Sequence, residues 1–344
     1  MKRNIMVILM AIIIFPACHV FLGSDPGTEP KEIFEAIWSD FNKTYALLDH
    51  KKIDWHEVYK TYSPQITATM TDQQLFDKCA DMLKVLNDAH VSLMSSFAYS
   101  NSGGRFDTSN MEPFNLNAVK KYLNNGGAVA GDEMFLYGTF SSRPNIGYIH
   151  IAGFAGGEVG MALSQDWVKS INGIIKSLEN TEALVLDVRG NRGGLISNVD
   201  YISSRFAAAE KEYVTIRTKD GPGKNDFSKP LSNEIKPVST AYTNPIVLLT
   251  NKQTISAGEW FTLALRSQSH VTIAGTATNG AFSLSLQRPL SNGWQYTVSV
   301  QKVTDINGIC YEGTGIPPDF VKQNTVENIQ LNIDDQLQYA LGLL

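Results

Sequence analysis

Apolar residues recur at helical spacing in the first third of the chain, in two separate stripes. The first stripe comprises Ile33, Phe34, Ile37, Trp38 and Phe41, and the second comprises Leu75, Phe76, Cys79, Met82, Leu83 and Leu86. A repeat of three to four residues places such side chains on one face of an α-helix. Thr71, followed three residues later by Gln74, has the form of a capping box that begins the second helix. We therefore predict a small helical domain over residues 31–95.

From residue 145 onward, short apolar runs alternate with amphipathic stretches. Strands are predicted at 146–151, 183–188, 246–250 and 271–274, with helices at 159–178, 196–206 and 256–266. Such alternation is typical of a largely parallel sheet covered by helices. Two later runs, 282–286 and 294–300, flank Asn292-Gly293 and predict a β-hairpin. The expected fold is an α/β core domain over 145–344, joined to the helical domain by a linker with short strands at 96–144.

One long polar stretch interrupts the predicted core domain. Residues 219–243 are rich in Pro, Ser and Lys. Such residues favour turns and irregular backbone over regular elements. We expect a loop there that could border a cleft.

The first 30 residues differ in composition from the rest of the chain. Lys2 and Arg3 precede an apolar run at 5–15, which closes on Pro16-Ala17-Cys18. A basic start and an apolar core too short to span a bilayer are typical of a secretory signal. A small residue directly before a cysteine resembles a bacterial lipoprotein signal, with Cys18 as the lipidated N-terminus; simple secretion is the alternative. We expect a signal peptide at 1–18, a tether at 19–30, and an exported, cell-envelope protein (periplasmic or cell-surface) that meets the membrane only through Cys18.

Charge and cysteine content exclude several classes of protein. A net charge of -5 and a pI near 5.7 argue against a nucleic-acid binder, which normally carries a basic face. Without Cys18, only Cys79 and Cys310 remain, and we expect two buried free thiols rather than a disulfide scaffold. No Cys/His cluster has zinc spacing, so we expect neither a metal site nor a cofactor.

Three loops contain residues suited to chemistry, yet each has an ordinary structural interpretation. The glycines of 189–194 could direct backbone N–H groups at an anion, or form a plain turn. Ser256 begins a predicted helix, where N–H groups favour an anionic intermediate, but Ser256 and Glu259 could also be a simple capping box. His90 ends the second helical stripe, where a histidine could be a base or a helix-end residue.

Taken together, these loops resemble the motifs of one family. The run Asp187-x-Arg189-x-Asn191-x-Gly193-Gly194 resembles a signature of the C-terminal-processing and tricorn-type serine peptidases, the tail-specific protease family. Residues 254–259 resemble its nucleophile motif, 275–280 its Gly-x-x-Thr-x-Gly, and 311–319 its closing Glu-x-x-Gly-Ile-x-Pro-Asp element. The four matches keep the family's order between residues 145 and 321. The resemblance implies a crotonase/ClpP-like βαβ peptidase core with a small N-terminal helical domain.

Two departures favour the tricorn branch of that family. Ala281 stands where the processing proteases carry a catalytic lysine, and the 96–144 segment is too short for their peptide-binding PDZ module. The tricorn branch uses serine, histidine and glutamate, which match Ser256, His90 and Glu312. Ala89 replaces a serine that this branch carries before its histidine.

The resemblance implies a serine-type peptidase, a hydrolase that acts by acyl transfer. Ser256 would be the nucleophile, His90 the general base and Glu312 the residue that orients the imidazole. The oxyanion would be bound by the N–H of Ala257 and by one from Gly193 or Gly194. The remaining motif side chains, Asp187, Arg189 and Asn191, would support the loop, and Lys252 and Lys302 are alternative bases.

The substrate implied by the resemblance is a peptide or an unfolded protein. An alternative is a catalytically inactive lipoprotein of the same fold that binds peptides or hydrophobic ligands. Interphotoreceptor retinoid-binding protein, which resembles this family, carries hydrophobic ligands in that way. The missing lysine and the alanine at position 89 fit this alternative, whereas the intact serine, histidine and glutamate favour an enzyme.

Overall fold

A computed structural model of the chain describes residues 27–103, 111–155 and 166–344. The predicted signal peptide, most of the tether and the first part of the helix expected at 159–178 lie outside these ranges. Across the three ranges, we find no helix with the length and apolar character needed to cross a membrane.

Three helices open the described chain: α1 (Pro30–Thr44), α2 (Trp55–Tyr62) and α3 (Asp72–Lys84). At the starts of α2 and α3, the side chains of Asp54 and Thr71 accept from backbone N–H groups left free in the first helical turn. For α3, the Thr71 hydroxyl accepts from the Gln74 N–H at 3.3 Å, and the Gln74 side chain accepts from the Thr71 N–H at 2.9 Å. The predicted apolar stripes on α1 and α3 face inward, with Trp38 only partly buried.

The core of this helical layer is completed from the other end of the chain. Trp294, Tyr296 and Val298 of a late hairpin pack into it. The hairpin strands β11 (Ser285–Pro289) and β12 (Gln295–Ser299) join β1 (Ser92–Met94) and β2 (Tyr99–Asn101) in an antiparallel sheet of order β11-β12-β1-β2. The helical segment expected at 31–95 is therefore half of a two-layer unit, because short amphipathic helices need a second apolar layer to bury their stripes.

The central sheet has seven strands in the order β14-β10-β9-β6-β5-β4-β3. Its strands are β3 (Ala128–Ala130), β4 (Phe135–Thr139), β5 (Ile146–Ile151), β6 (Ala183–Asp187), β9 (Ile246–Thr250), β10 (Val271–Gly275) and β14 (Phe320–Val321). The five from β5 to β14 run parallel, whereas β4 and β3 add antiparallel pairs at one edge. The sheet thus begins inside the segment predicted as a linker.

Helices cover both faces of this sheet. Alternate strand residues point to opposite faces, and two separate apolar clusters result. One face packs on α5 (Asp166–Leu178), α6 (Ile196–Ser203) and α7 (Ala257–Arg266), and the other on α4 (Leu116–Lys120) and α9 (Asp335–Leu343). The short α8 (Val326–Gln330) precedes α9. The predicted α/β class is confirmed, with α6 ending earlier and α7 beginning one residue later than expected.

A third, antiparallel sheet of order β13-β7-β8 lies beside this core. Its strands are β7 (Lys211–Thr218), β8 (Leu231–Ile235) and β13 (Gln301–Asp305). The polar stretch predicted as a loop therefore contains one strand, β8. Cys79 and Cys310 are free thiols, but only Cys79 is fully buried; Cys310 is partly buried, which corrects the expectation of two buried thiols.

Candidate active site

Ser256 occupies the turn between β9 and α7, directly before the first helical residue. Its backbone has φ +59° and ψ −122°, a conformation that residues with a Cβ rarely adopt. Two hydrogen bonds hold it there: the Ile255 N–H donates to the Asn191 carbonyl at 3.0 Å, and the Ser256 N–H donates to Glu259 Oε2 at 3.0 Å. A strained, partly exposed serine on a strand-to-helix turn has the geometry of a nucleophile elbow.

The Glu259 carboxylate ties this turn to the segment 278–281. It is fully buried and accepts four hydrogen bonds, from the Ser256 N–H (3.0 Å), the Ala281 N–H (2.9 Å), the Gly280 N–H (2.6 Å) and the Thr278 hydroxyl (2.7 Å). Burial raises its pKa to about 6, against the opposing effect of these donors. From the sequence, Glu259 was expected as half of a capping box and as part of the nucleophile motif, with no role assigned to its carboxylate beyond the cap. The other three hydrogen bonds to Glu259 come from a distant segment, 278–281. In the sequence, its Thr-x-Gly pattern was the one feature that marked this segment as part of the site.

The glycine loop after β6 packs directly against Ser256. At Gly193 (φ +82°), a Cβ would lie 2.7 Å from the Ser256 Cβ, so only glycine fits there. The Gly193 N–H donates to the Asn191 side chain at 2.9 Å and is therefore already engaged. Among the residues that the structure describes, neither the Gly194 N–H nor the Ala257 N–H has a hydrogen-bond acceptor. Of the three expected oxyanion donors, the arrangement leaves Ala257 and Gly194 open.

The motif side chains of this loop make structural bonds. Arg189 is fully buried; its guanidinium pairs with Asp187 at 2.6 Å and with Asp334 at 2.8 Å. Asn191 donates to the Ile151 carbonyl at 2.9 Å. Burial raises the pKa of Asp334, but Arg189 outweighs it, and the net shift is downward. Asp334 precedes α9, so the C-terminal helix is tied beneath the glycine loop. No sequence signal pointed to Asp334.

His90 lies in the loop between α3 and β1, and a small apolar cluster brings this loop to the serine turn. Ala89, Ile255 and Ala281 form that cluster, and each is a neighbour in sequence of one part of the site. Ala281 thus fills with a methyl group the position where the processing proteases carry lysine. The three segments that carry the serine, the histidine and the Glu259-bound turn meet at one place.

The backbone of His90 is held from both sides. Its N–H donates to Asp88 Oδ1 at 2.8 Å, and its carbonyl accepts from the hydroxyls of Ser285 (2.9 Å) and Thr297 (2.7 Å). Asp88 is itself buried and accepts from the Tyr45 hydroxyl at 2.9 Å. The loop is therefore positioned by the late hairpin as well as by Tyr45, which directly follows α1.

Glu312 is buried, and the two oxygens of its carboxyl group differ in their hydrogen bonding. Oε1 accepts from the backbone N–H groups of Phe282 (2.9 Å) and Ser283 (2.7 Å). Oε2 is buried without a hydrogen-bond partner among the described residues. Burial, and then the nearby carboxylates of Asp88 and Glu259, raise the pKa of Glu312 well above its usual range. One oxygen thus fixes the side chain, and the other remains open.

The two lysines considered as alternative bases lie in other settings. Lys252 Nζ donates to the carbonyls of Asn279 at 3.0 Å and Thr278 at 3.5 Å, which is the role of a structural ammonium group. Lys302 is on β13 and lines a cavity between the N-terminal helices and the third sheet. Within the described part of the chain, no three His, Cys, Asp or Glu side chains are grouped as metal ligands.

The fold and the site together define an α/β protein with a serine-centred site at the start of a helix. The profile of peptidase family S41 matches residues 145–322, and the profile of the tricorn protease C1 domain matches residues 26–84. The first match covers more than half of the chain. The chain therefore belongs to peptidase family S41, which confirms the resemblance inferred from the motifs.

Curated relatives and a solved structure agree with this assignment. The chain is 27% identical over 174 residues to the carboxy-terminal processing protease CtpB of Bacillus subtilis, covering 51% of this chain and 33% of the relative. It is 25% identical over 229 residues to the tricorn protease of Thermoplasma volcanium, covering 65% of this chain and 19% of the relative. These matches span a third or less of the length of each relative. The crystal structure of a presumed peptidase from Parabacteroides merdae superimposes with a TM-score of 0.82 at 29% identity, over 92% of this chain and 97% of that one.

Proposed function

We propose that this protein is an exported serine peptidase that hydrolyses peptide bonds through an acyl-enzyme formed on Ser256. The observation that carries the proposal is the strained backbone of Ser256 at the start of α7, with Gly193 packed on its Cβ. This arrangement presents a hydroxyl beside unpaired N–H groups at the positive end of a helix dipole. Membership of family S41 supports the reaction class.

In this mechanism, His90 accepts the Ser256 proton as Oγ attacks the peptide carbonyl, and later returns it to the leaving amine. The meeting of the two loops around Ala89 and Ile255 supports the pairing. Glu312 would orient the imidazole, directly or through a water, with its open Oε2. Its Oε1 cannot serve, since two backbone N–H groups already occupy it.

The oxyanion of the tetrahedral intermediate would be bound by the N–H groups of Ala257 and Gly194. Both N–H groups lack an acceptor among the described residues, whereas that of Gly193 is used within its own loop. Each such donor is typically worth about 3 kcal/mol of transition-state stabilisation. We propose peptides or unfolded proteins as substrates, in line with relatives that are named as processing proteases.

The test is covalent labelling with a fluorophosphonate, which reacts with activated serines. The wild-type protein is expected to be labelled and Ser256→Ala is not. Ser267→Ala, at the opposite end of α7, is the matched control and should label like the wild type. Equal labelling of Ser256→Ala and wild type would refute the assignment. A folded wild-type protein that resists labelling would favour the inactive binding protein instead.

Export is the second part of the proposal, and it rests on the basic and apolar segment that ends at Cys18. In the native host we expect a membrane-associated protein whose mature N-terminus is lipidated Cys18. Cys18→Ser should release the protein from the membrane fraction or misplace it. Mass spectrometry that found an unmodified N-terminus downstream of Cys18 would refute lipidation and leave secretion standing.

A further inference from the structure

A cavity of about 1140 Å³ lies between the N-terminal helices and the three-stranded sheet. One wall is the segment 42–56, which runs from the end of α1 into α2. The other wall comes from β7, the loop that follows it, and β13. Ser256, His90 and Glu312 do not line the cavity. Its volume slightly exceeds the range of about 300–1,000 Å³ that is typical of small-molecule sites.

The lining of this cavity is basic, although the chain as a whole carries a net charge of -5. Its five cationic side chains are Lys52, Arg217, Lys219, Lys224 and Lys302, and its carboxylates are Asp49 and Asp54. Both carboxylates are already engaged. Asp49 pairs with Lys224 at 2.9 Å, and Asp54 accepts the backbone N–H groups that begin α2. The cavity therefore keeps an excess of positive charge.

The strand register places two of these cations side by side. Arg217 on β7 lies directly opposite Lys302 on β13. Like charges in that position destabilise a sheet. Within the part of the chain that the structure describes, no carboxylate lies within ion-pair distance of either group. The next pair along the same face is Thr215 opposite Thr304, which adds two hydroxyl groups.

We propose that this cavity binds a small oxyanion with two or more negative charges, a polycarboxylate or a polyphosphate. Arg217 would supply the forked N–H donors that match a carboxylate or phosphate, and Lys302 a second positive charge. The hydroxyls of Thr215 and Thr304 would complete the set of donors. Bound anion removes the repulsion between the two cations, which explains why the strands carry them in register.

Two residues of the 42–56 wall make hydrogen bonds to segments of the serine site. His50, which lines the cavity, contacts the Glu312 carbonyl through Nε2 at 3.0 Å. The adjacent Lys51 Nζ donates to the Asn87 carbonyl at 2.8 Å, just before the segment that carries His90. The anion would therefore lie behind the catalytic residues, on the far side of the turn 49–52.

Binding is tested by calorimetric titration of the whole mature protein with pyrophosphate and with citrate, at low and high salt. The wild type should bind at least one of the two anions, and the preferred anion identifies phosphate or carboxylate chemistry. The double variant Arg217→Gln/Lys302→Gln should bind that anion at least about tenfold more weakly. The control Lys211→Gln/Lys229→Gln removes two exposed cations of the same region that do not line the cavity, and should bind like the wild type.

Thermal unfolding gives a second readout that does not depend on comparing affinities. Without anion, the Arg217/Lys302 double variant should unfold at or above the wild-type Tm, because the like-charge pair is gone. The bound anion should raise the Tm of the wild type and of the control, but not that of the double variant. Absence of binding to the wild type at millimolar anion and low salt would overturn the proposal. Equal weakening in both double variants would also overturn it, since that result shows only general attraction to a basic surface.

Discussion

The side chain of Glu312 offers a substitution that should separate stability from activity. Its Oε1 accepts two backbone N–H groups, and its Oε2 is buried without a partner among the described residues. In Glu312→Gln, the amide oxygen can take the place of Oε1 and the NH₂ group that of Oε2. Both backbone hydrogen bonds are then kept, and the ionisable carboxyl group is removed. In Glu312→Ala, both N–H groups lose their acceptor.

The size of the effect follows from the raised pKa of Glu312. Burial first, then Asp88 and Glu259, hold this pKa above its usual range. A carboxyl group of that kind stabilises the fold fully below its unfolded pKa of about 4.3, and the stabilisation is lost as pH rises towards the folded-state pKa. Each pH unit in that window costs the wild type about 1.4 kcal/mol and costs Glu312→Gln nothing. The glutamine variant should therefore gain stability relative to the wild type as pH rises above about 5.

The difference in stability between Glu312→Ala and Glu312→Gln measures the contribution of the two backbone hydrogen bonds. Each buried N–H left without an acceptor costs about 1–3 kcal/mol, so Glu312→Ala should be less stable than Glu312→Gln by about 2–6 kcal/mol. Urea unfolding of the three proteins at about pH 5 and pH 7 measures both differences. In a peptidase assay, Glu312→Gln should lose kcat, but less than Ser256→Ala, because the glutamate only orients and stabilises the base.

Two results would refute this reasoning. If Glu312→Gln is as unstable as Glu312→Ala, its amide does not keep the two backbone bonds. If Glu312→Gln becomes less stable than wild type as pH rises, the carboxylate is ionised and compensated in the fold. The second result would also mean that Oε2 has a strong donor beside it, and that burial does not dominate this site.

The remaining predictions concern the base, the buried ion pair and the carboxylate behind the nucleophile. His90→Ala should lose about as much kcat as Ser256→Ala in a peptidase assay, and retained activity in His90→Ala would exclude it as the base. Asp334→Ala should cost about 3–5 kcal/mol in urea unfolding because Arg189 loses a buried partner, with a smaller loss for Asp334→Asn; equal losses would point to the charge alone. Glu259→Gln should cost about 1–3 kcal/mol by the same method, since its NH₂ group must face at least one of the N–H donors, and a neutral result would show that the turn rearranges.

Much of the fold was predictable because it depends on local periodicity. The apolar stripes on α1 and α3, the Thr71 capping box and the alternation of strand and helix after residue 145 all repeat within a few residues. The N-cap of α7 at Ser256 could also be predicted, since the capping pattern and the motif lie in one short run. These features need only the helical period of 3.6 and the strand period of 2.

The completion of the helical layer was not predictable in this way. Trp294 and Tyr296 enter the same core as Phe34 and Phe41, although nearly the whole chain separates them. A hairpin with one apolar face can pack on any complementary apolar surface, and the hairpin's own sequence does not identify that surface. The short strands expected at 96–144 could not be given bounds, since the three residues of β3, for example, are too few to show a period.

Within the site, the sequence by itself determined which residue types were present, and the tertiary structure decided how each is used. The motifs named Ser256, His90 and Glu312, and the order of the motifs identified the family. Only packing assigned the Gly193 N–H to Asn191, gave Glu259 its four donors and placed Asp334 against Arg189. These contacts join segments far apart in the chain, and their geometry depends on strand register and helix packing, which no local pattern encodes.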